Sequence, residues 1–273
     1  MKLNALSLVL VGAGKMGGAM LTGWLGMDLE AKNVTVIDPG QPEDMKALSQ
    51  KTGFALVASP DGIAQPDILV IAIKPQMMAK VLPGLKALVG PQTVVVSIAA
   101  GTPIATFQSY LGAAAGVVRV MPNTPAQVGR GMFAAFASAE VTEDMRQTIA
   151  ALMSSTGKFT WVGEEALIDA VTAISGSGPA YVFYMVEALA KAGEALGLEP
   201  DAANLMARQT IVGAGELLNQ SELHAATLRE NVTSPGGTTA AALAILMAEQ
   251  GGLDELMAKA TVAARDRSIE LAK

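Results

Sequence analysis

The stretch from Leu6 to Gly18, LSLVLVGAGKMGG, limits what this chain can fold into more than any other. Leu6 and Leu8 to Val11 make a near-continuous apolar run of strand length, which suits a strand buried on both faces of a parallel sheet. Gly12, Gly14 and Gly17 follow at G-x-G-x-x-G spacing, and Lys15 to Met27 reads as a helix. Each glycine has its own task. Gly12 permits the tight turn, Gly14 lets backbone approach a pyrophosphate, and Gly17 lets helix pack close to strand. The helix start presents unpaired N–H groups and the positive end of a dipole to an anion. Gly12, Ala13, Gly14, Lys15, Met16 and Gly17 are therefore the expected phosphate cradle of a dinucleotide.

Val34 to Asp38 reads as a second strand ending in a carboxylate. At that place in a dinucleotide fold an acid accepts hydrogen bonds from the adenosine ribose 2′-OH and repels a 2′-phosphate, so Asp38 favours NADH. A plain Asp-Pro-Gly turn accounts for the same residues. Pro42 to Lys51 reads as a helix and Phe54 to Val57 as a strand, and Ser59-Pro60-Asp61 offers an N-cap with proline at the first helical position. Ile68 to Ile73 is the clearest strand and runs into Lys74-Pro75. Thr93 to Ile98 repeats the pattern before Ala99-Ala100-Gly101, and Gly116 to Met121 does so before Pro122-Asn123-Thr124-Pro125. Met132 to Ala137 and Phe159 to Val162 are two further strands around a helix from Thr142 to Ser154. This alternation predicts a doubly wound parallel sheet whose late strands are free to run the other way. Ligands in such sheets bind beyond strand C-termini, which directs attention to each of these strand ends.

The chain has 273 residues, enough for two ordinary domains. From Glu164 onward only helical patterns occur: Glu164 to Ile174, Gly178 to Leu196, Asp201 to Gln220, Leu223 to Asn231, Gly236 to Glu249 and Leu253 to Ala272. The expected organisation is a dinucleotide-binding domain over residues 1–163 and an all-helical domain over residues 164–273. Helices such as Ala180 to Ala190, AYVFYMVEALA, carry more apolar surface than a small bundle needs, which points to a homo-oligomer. With 51% apolar but only 4% aromatic residues, the core must come from aliphatic side chains and the 15 methionines. Net charge is −6 without a basic block, which argues against nucleic acid as a partner. No cysteine is present, so disulfide, thiolate and Cys-metal chemistry are excluded, no metal site is expected, and a cytoplasmic location fits. Residues from Ala87 to Val118 lack charge, yet Pro91, Gly101 and Pro103 break them into strand, turn and short helix rather than a membrane span.

In the helical half the unusual stretch is Leu228 to Leu243, LRENVTSPGGTTAAAL. Ser234-Pro235-Gly236-Gly237 separates two helices and Thr238-Thr239 opens the second. Such a helix start either binds a small carboxylate at Gly237 and Thr238 or is simply a helix start.

GAGKMG, AIKPQ at Ala72 to Gln76, SIAAG at Ser97 to Gly101, MPNTPA at Met121 to Ala126, SGSGPAY at Ser175 to Tyr181 and VTSPGGTT at Val232 to Thr239 resemble, in order, the motifs of pyrroline-5-carboxylate reductases. The resemblance runs from residue 7 to residue 243, and VTSPGGTT is its most specific part. It implies NAD(P)H-dependent reduction of the cyclic imine 1-pyrroline-5-carboxylate to L-proline, the last step of proline biosynthesis. A Rossmann-like N-terminal domain and a C-terminal helical domain interlocked into a dimer, sometimes within a larger ring, are also implied. Carried over residue by residue, Gly12 to Gly17 hold the pyrophosphate and Ser59 sits near the adenosine. Ala72, Ile73, Lys74 and Pro75, with Ala99, Ala100 and Gly101, line the nicotinamide side, and Asn123 lies on the loop closing it. Gly237 and Thr238 bind the substrate carboxylate, Thr239 hydrogen-bonds the ring nitrogen, and Glu222 and Ser234 border the pocket. Many relatives place a neutral or basic group where Asp38 stands and use NADPH, so Asp38 departs from their pattern.

Hydride goes to the imine carbon, and the nitrogen must carry a proton as electron density reaches it. A threonine hydroxyl is a poor acid near neutral pH, so solvent or an already protonated iminium supplies that proton. Histidine is not required, and the single His224 is expected at the surface or in packing. A 3-hydroxyacid dehydrogenase would want a Lys or His as acid and base. After Gly176-Ser177-Gly178 the helix offers Tyr181, Phe183 and Tyr184, with the next lysine at Lys191. A non-catalytic nucleotide sensor does not account for SPGGTT, and a purely structural helical protein does not account for ordered small residues at successive strand ends.

Overall fold

The computed structural model describes residues 3–112 and 115–271. Met1 and Lys273, the outer bounds of the two expected domains, and Ala272, the expected end of the last helix, lie outside the described residues. In chain order the first part runs β1 (Leu8–Val11), α1 (Lys15–Leu25), β2 (Val34–Ile37), α2 (Glu43–Thr52), β3 (Ala55–Val57), β4 (Ile68–Ile71) and α3 (Met78–Leu85). It continues through β5 (Val94–Ser97), α4 (Ile104–Leu111), β6 (Gly116–Met121), β7 (Gly131–Ala137), α5 (Glu143–Ser154), β8 (Gly157–Trp161) and α6 (Leu167–Val171). The helices α7 (Gly178–Ala195), α8 (Pro200–Gln220), α9 (Ala225–Asn231), α10 (Thr238–Leu246) and α11 (Leu253–Leu271) follow. No strand occurs after Trp161 among the described residues.

Eight strands form one sheet in the order β3-β2-β1-β4-β5-β6-β7-β8. From β3 to β6 every pairing is parallel, β7 runs antiparallel to β6, and β8 is parallel to β7. The apolar runs are continuous because alternate residues feed two cores. Leu8, Leu10, Val34, Val36, Ile68, Val70, Val94 and Val96 pack with Met20, Leu21 and Trp24 of α1 and Ile149 and Leu152 of α5. Val9, Val11, Leu69, Ile71, Val95 and Val117 face the other way, onto Met78, Leu82 and Leu85 of α3 and Ile104, Phe107 and Leu111 of α4.

Two sequence expectations differ from what the fold shows. Ser59-Pro60-Asp61 does not open a helix: the Ser59 hydroxyl donates to Asp61 Oδ2 at 2.8 Å, and Gly62 turns the chain at φ +76°. Pro66 and the start of β4 follow too soon for a helix to form. Glu164 to Ile174 is not one regular helix either, because α6 passes into a π-turn over Thr172–Gly176.

The chain divides into two compact units, residues 1–176 with 265–273, and residues 177–264. The second unit contains α7 to α10 and most of α11. Its buried hydrophobic residues, among those described, are only Ala190, Ala203 and Ala207. Meanwhile Val182, Phe183, Tyr184 and Met185 on α7 are exposed, Phe183 to 62% and Tyr184 to 65%. Three alanines supply far less apolar burial than a helical domain needs.

The Trp24 side chain is fully buried between sheet and helix, and its Nε1 donates to the Leu152 carbonyl at 3.1 Å. Trp24→Ala is expected to lower stability by about 3–5 kcal/mol, read by urea denaturation followed by circular dichroism. A midpoint equal to the wild type would remove Trp24 from the centre of this packing.

Candidate active site

The chain crosses from one half of the sheet to the other between β1 and β4, which are neighbours. Ligands of open parallel sheets bind at such a switch point, beyond the strand C-termini. There the backbone is unusually close. A Cβ on Gly12, which holds φ +92°, would lie 2.8 Å from the Ala72 carbonyl oxygen, and one on Gly17 would lie 2.5 Å from that of Gly12. Only glycine permits this approach of α1 to β1 and β4. Gly14 is different: it is exposed, with nothing within 4 Å of where its Cβ would be. It is also the N-cap of α1 and makes no side-chain cap bond, so the first amides of the helix face an open cradle. These residues fit a dinucleotide pyrophosphate.

The other expected cofactor residues follow the same edge of the sheet. Asp38 stands beyond β2, Ser59 beyond β3, Ala72 to Pro75 beyond β4, Ala99 to Gly101 beyond β5 and Asn123 beyond β6. Because these strands are parallel, the sheet brings the loops to one side. Lys15, Lys74 and Pro75 are exposed there, Ile73 and Met16 are half-buried, and Ala99 is buried with its amide donating to Ser97 Oγ at 3.2 Å.

Two polar side chains have structural partners. Asp38 Oδ2 accepts from the Ala13 amide at 2.8 Å, and Oδ1 accepts from the Gly40 amide at 2.9 Å. The turn reading and a place beside the glycine loop thus coexist in one carboxylate. Asn123 Nδ2 donates to the Ser175 carbonyl at 3.0 Å, and its Oδ1 accepts from the Met132 amide at 2.8 Å. Asn123 therefore pins β7 and the π-turn to its own loop.

In the second unit, Ser234 to Gly237 form a turn closed by the Gly237 amide donating to the Ser234 carbonyl at 3.0 Å. Pro235 and Gly236, at φ +70°, take the positions a type II turn assigns to proline and glycine. Gly237 is the N-cap of α10 and has no side chain with which to cap it, so Thr238 and Thr239 open a helix whose first amides lack a side-chain cap. Thr239 is half-buried, Ser234 and Thr238 are exposed, and Glu222 is exposed between α8 and α9. His224 is exposed at the start of α9.

Sequence reasoning overlooked Arg119 and Glu165. Arg119, only 5% exposed within β6, places Nη1 2.7 Å from Glu165 Oε1. One signal was available, since a charged residue in the middle of GVVRVM needs a buried partner.

Residues 165–271 match the family described as pyrroline-5-carboxylate reductase dimerisation, and residues 7–101 match that described as NADP oxidoreductase, coenzyme F420-dependent. The pyrroline-5-carboxylate reductase of Pseudomonas aeruginosa is 38% identical over 266 residues, covering 97% of each chain. This chain belongs to the pyrroline-5-carboxylate reductase family. The reductase of Pasteurella multocida is also 38% identical, over 99% of each chain. Among solved structures, the Coxiella burnetii pyrroline-5-carboxylate reductase superposes with a TM-score of 0.90 at 34% identity, covering 99% of this reductase and 100% of that chain. The Plasmodium falciparum pyrroline carboxylate reductase, solved with NADP bound, gives 0.81 at 29% identity over 100% of both chains. No helix among the described residues of the reductase is long and apolar enough to cross a membrane.

Gly17→Ala is expected to push α1 off the glycine turn and weaken binding of the reduced dinucleotide by on the order of tenfold or more, with helix content preserved. Fluorescence titration with circular dichroism of the same samples checks it, and wild-type affinity would exclude close packing as the requirement.

Proposed function

We infer that this chain reduces 1-pyrroline-5-carboxylate to L-proline with a reduced nicotinamide cofactor. The observation that carries this reading is similarity to pyrroline-5-carboxylate reductases over 97% of the chain, spanning the glycine cradle and the helical half alike. The hydroxyacid dehydrogenase and sensor readings have no comparable support.

We assign Gly12 to Gly17 to the pyrophosphate, Ser59 to the adenosine end, and Ala72 to Pro75 with Ala99 to Gly101 to the nicotinamide side. Asn123 acts there by holding its loop. The reduced nicotinamide, when bound, supplies the hydride. The protein's own part is to bind, orient and stabilise charge. The uncapped start of α10 suits the substrate carboxylate at Gly237 and Thr238. The Thr239 hydroxyl hydrogen-bonds the ring nitrogen and orients the imine, while Glu222 and Ser234 border the pocket. Since a threonine hydroxyl is a weak acid, the proton arrives with the iminium or from solvent.

The division into residues 1–163 for the cofactor and 164–273 for dimerisation and substrate is supported by a family match that begins at residue 165. The family's dimerisation region covers the helices, and their apolar surface and small core argue for a homodimer or larger ring through them. A cysteine-free chain suits the reducing cytoplasm, where we place it.

Asp38 bears on cofactor choice. Its carboxylate is already fixed beside the glycine loop by the Ala13 amide, and a 2′-phosphate brought to the end of β2 would meet its charge. We therefore expect NADH to serve at least as well as NADPH. Oxidation of each cofactor by the purified protein with pyrroline-5-carboxylate tests the activity and this preference together. No oxidation of either would overturn the activity, and a much larger specificity constant with NADPH would overturn the role of Asp38. Asp38→Ser should shift the NADPH-to-NADH ratio upward by about tenfold, corresponding to about 1.4 kcal/mol.

Thr239→Ala is expected to lower kcat by on the order of a hundredfold while the cofactor dissociation constant stays near wild type. Steady-state kinetics and fluorescence titration give the two values, and an unchanged kcat would remove Thr239 from the mechanism.

A further inference from the structure

The loop 99–103 between β5 and α4 consists of Ala99, Ala100, Gly101, Thr102 and Pro103, side chains with little means of holding a loop in place. Besides the Ala99 amide donating to Ser97 Oγ at 3.2 Å and the Thr102 hydroxyl donating to the Ala100 carbonyl at 3.5 Å, its anchors come from distant parts of the chain. On one side, the amide of Ile104, the first residue of α4, donates to Glu165 Oε1 at 2.8 Å. The same oxygen accepts from Arg119 Nη1 at 2.7 Å. Arg119 is buried in β6 beside Ser97 of β5, and its Nε has no hydrogen-bond partner. Since a guanidinium stays protonated, the Glu165 carboxylate is held in place by a charge that itself has nowhere to go.

On the other side, Leu271 of α11 lies against Gly101, with its backbone carbonyl 3.5 Å from where a Cβ on that glycine would be. The end of α11 is tied in turn: the buried Ser268 hydroxyl donates to Asp169 Oδ1 at 2.6 Å. Glu165 and Asp169 are four residues apart in the sequence, one before α6 and one inside it. One short segment thus carries both carboxylates, one reaching the start of α4 and the other the end of α11.

We propose that Glu165 and Asp169 are positioning residues that brace loop 99–103 from its two sides and so set where the nicotinamide half of the cofactor lies. This rests on the reading that Ala99 to Gly101 line that half. Neither carboxylate is assigned a contact with the reacting atoms. Each acts through backbone, Glu165 through the Ile104 amide and Asp169 through Ser268 and Leu271.

The test compares Glu165→Ala, Asp169→Ala, Asp169→Asn and Ser268→Ala in the full chain. Two ligands are used: the reduced dinucleotide, and ADP-ribose or its 2′-phosphate, which engages the glycine cradle without a nicotinamide. The alanine variants should lower kcat/KM for the dinucleotide by on the order of tenfold to a hundredfold. Their affinity for the ADP-ribose fragment should stay within about twofold of wild type. Asp169→Asn keeps an oxygen to accept from Ser268 and should restore activity. If Glu165→Ala leaves the buried guanidinium unpaired and fails to fold, Asp169→Ala and Ser268→Ala carry the test without disturbing that charge. Parallel loss of fragment and dinucleotide binding would show a general structural effect and overturn the proposal. Gly101→Val, strained at φ +67°, separates the two remaining outcomes. If it impairs dinucleotide use while the carboxylate variants behave as wild type, the bracing is wrong and the loop reading stands. If it too is without effect, the loop reading fails and the proposal with it.

Discussion

Contact between backbone and backbone at the switch point is the constraint on which the rest of this edge of the sheet depends. The oxygens of Gly12 and Ala72 occupy the space that side chains on Gly17 and Gly12 would take. With no side chain at either glycine, α1 lies close against the sheet, Trp24 reaches the Leu152 carbonyl, and Leu8 and Leu10 share a core with Met20 and Leu21. The same approach leaves Gly14 and the first amides of α1 facing outward. Tight packing and an open helix start are two results of one geometry, because the glycines that admit the helix, Gly12 and Gly17, flank Gly14, beside which the space is open.

Around that point, polar side chains hold backbone in place. Asp38 bonds the amides of Ala13 and Gly40, Asn123 bonds Met132 and Ser175, and Glu165 bonds Ile104. Each links one strand-end loop to a segment distant in sequence or to the turn that follows it. An edge made of small residues gains close approach but cannot fix its own shape, so shape is set by carboxylates and an amide from outside the small-residue stretches. This is preorganisation: loops already held in position lose less entropy when a ligand binds.

The helical unit follows another logic. Its long helices expose aromatic and aliphatic side chains and bury little more than alanines. Such a unit is stabilised only when those faces are covered, which accords with membership of a family whose helical region is described as a dimerisation domain. At α10 the helix starts after a proline-glycine turn with glycine at its N-cap and no side-chain cap.

The local pattern alone determined the strands, most helices, the glycine cradle and the change to an all-helical half near Glu164. These features follow from periods, turns and steric rules that act over a few residues, so they are legible in the chain. Gly116 to Met121 matches β6 residue for residue. Where local signals competed, reading failed: Ser59-Pro60 resembles a helix start, but the distance to β4 leaves no room for a helix. Tertiary structure alone decided what Arg119 and Asp38 do and which atoms hold loop 99–103. Arg119 and Glu165 are 46 residues apart, and Asp169 and Ser268 are 99 apart. No periodicity spans such separations. Only packing of the sheet, α6 and the last turns of α11 brings those groups to hydrogen-bond distance, and burial then gives each bond its strength.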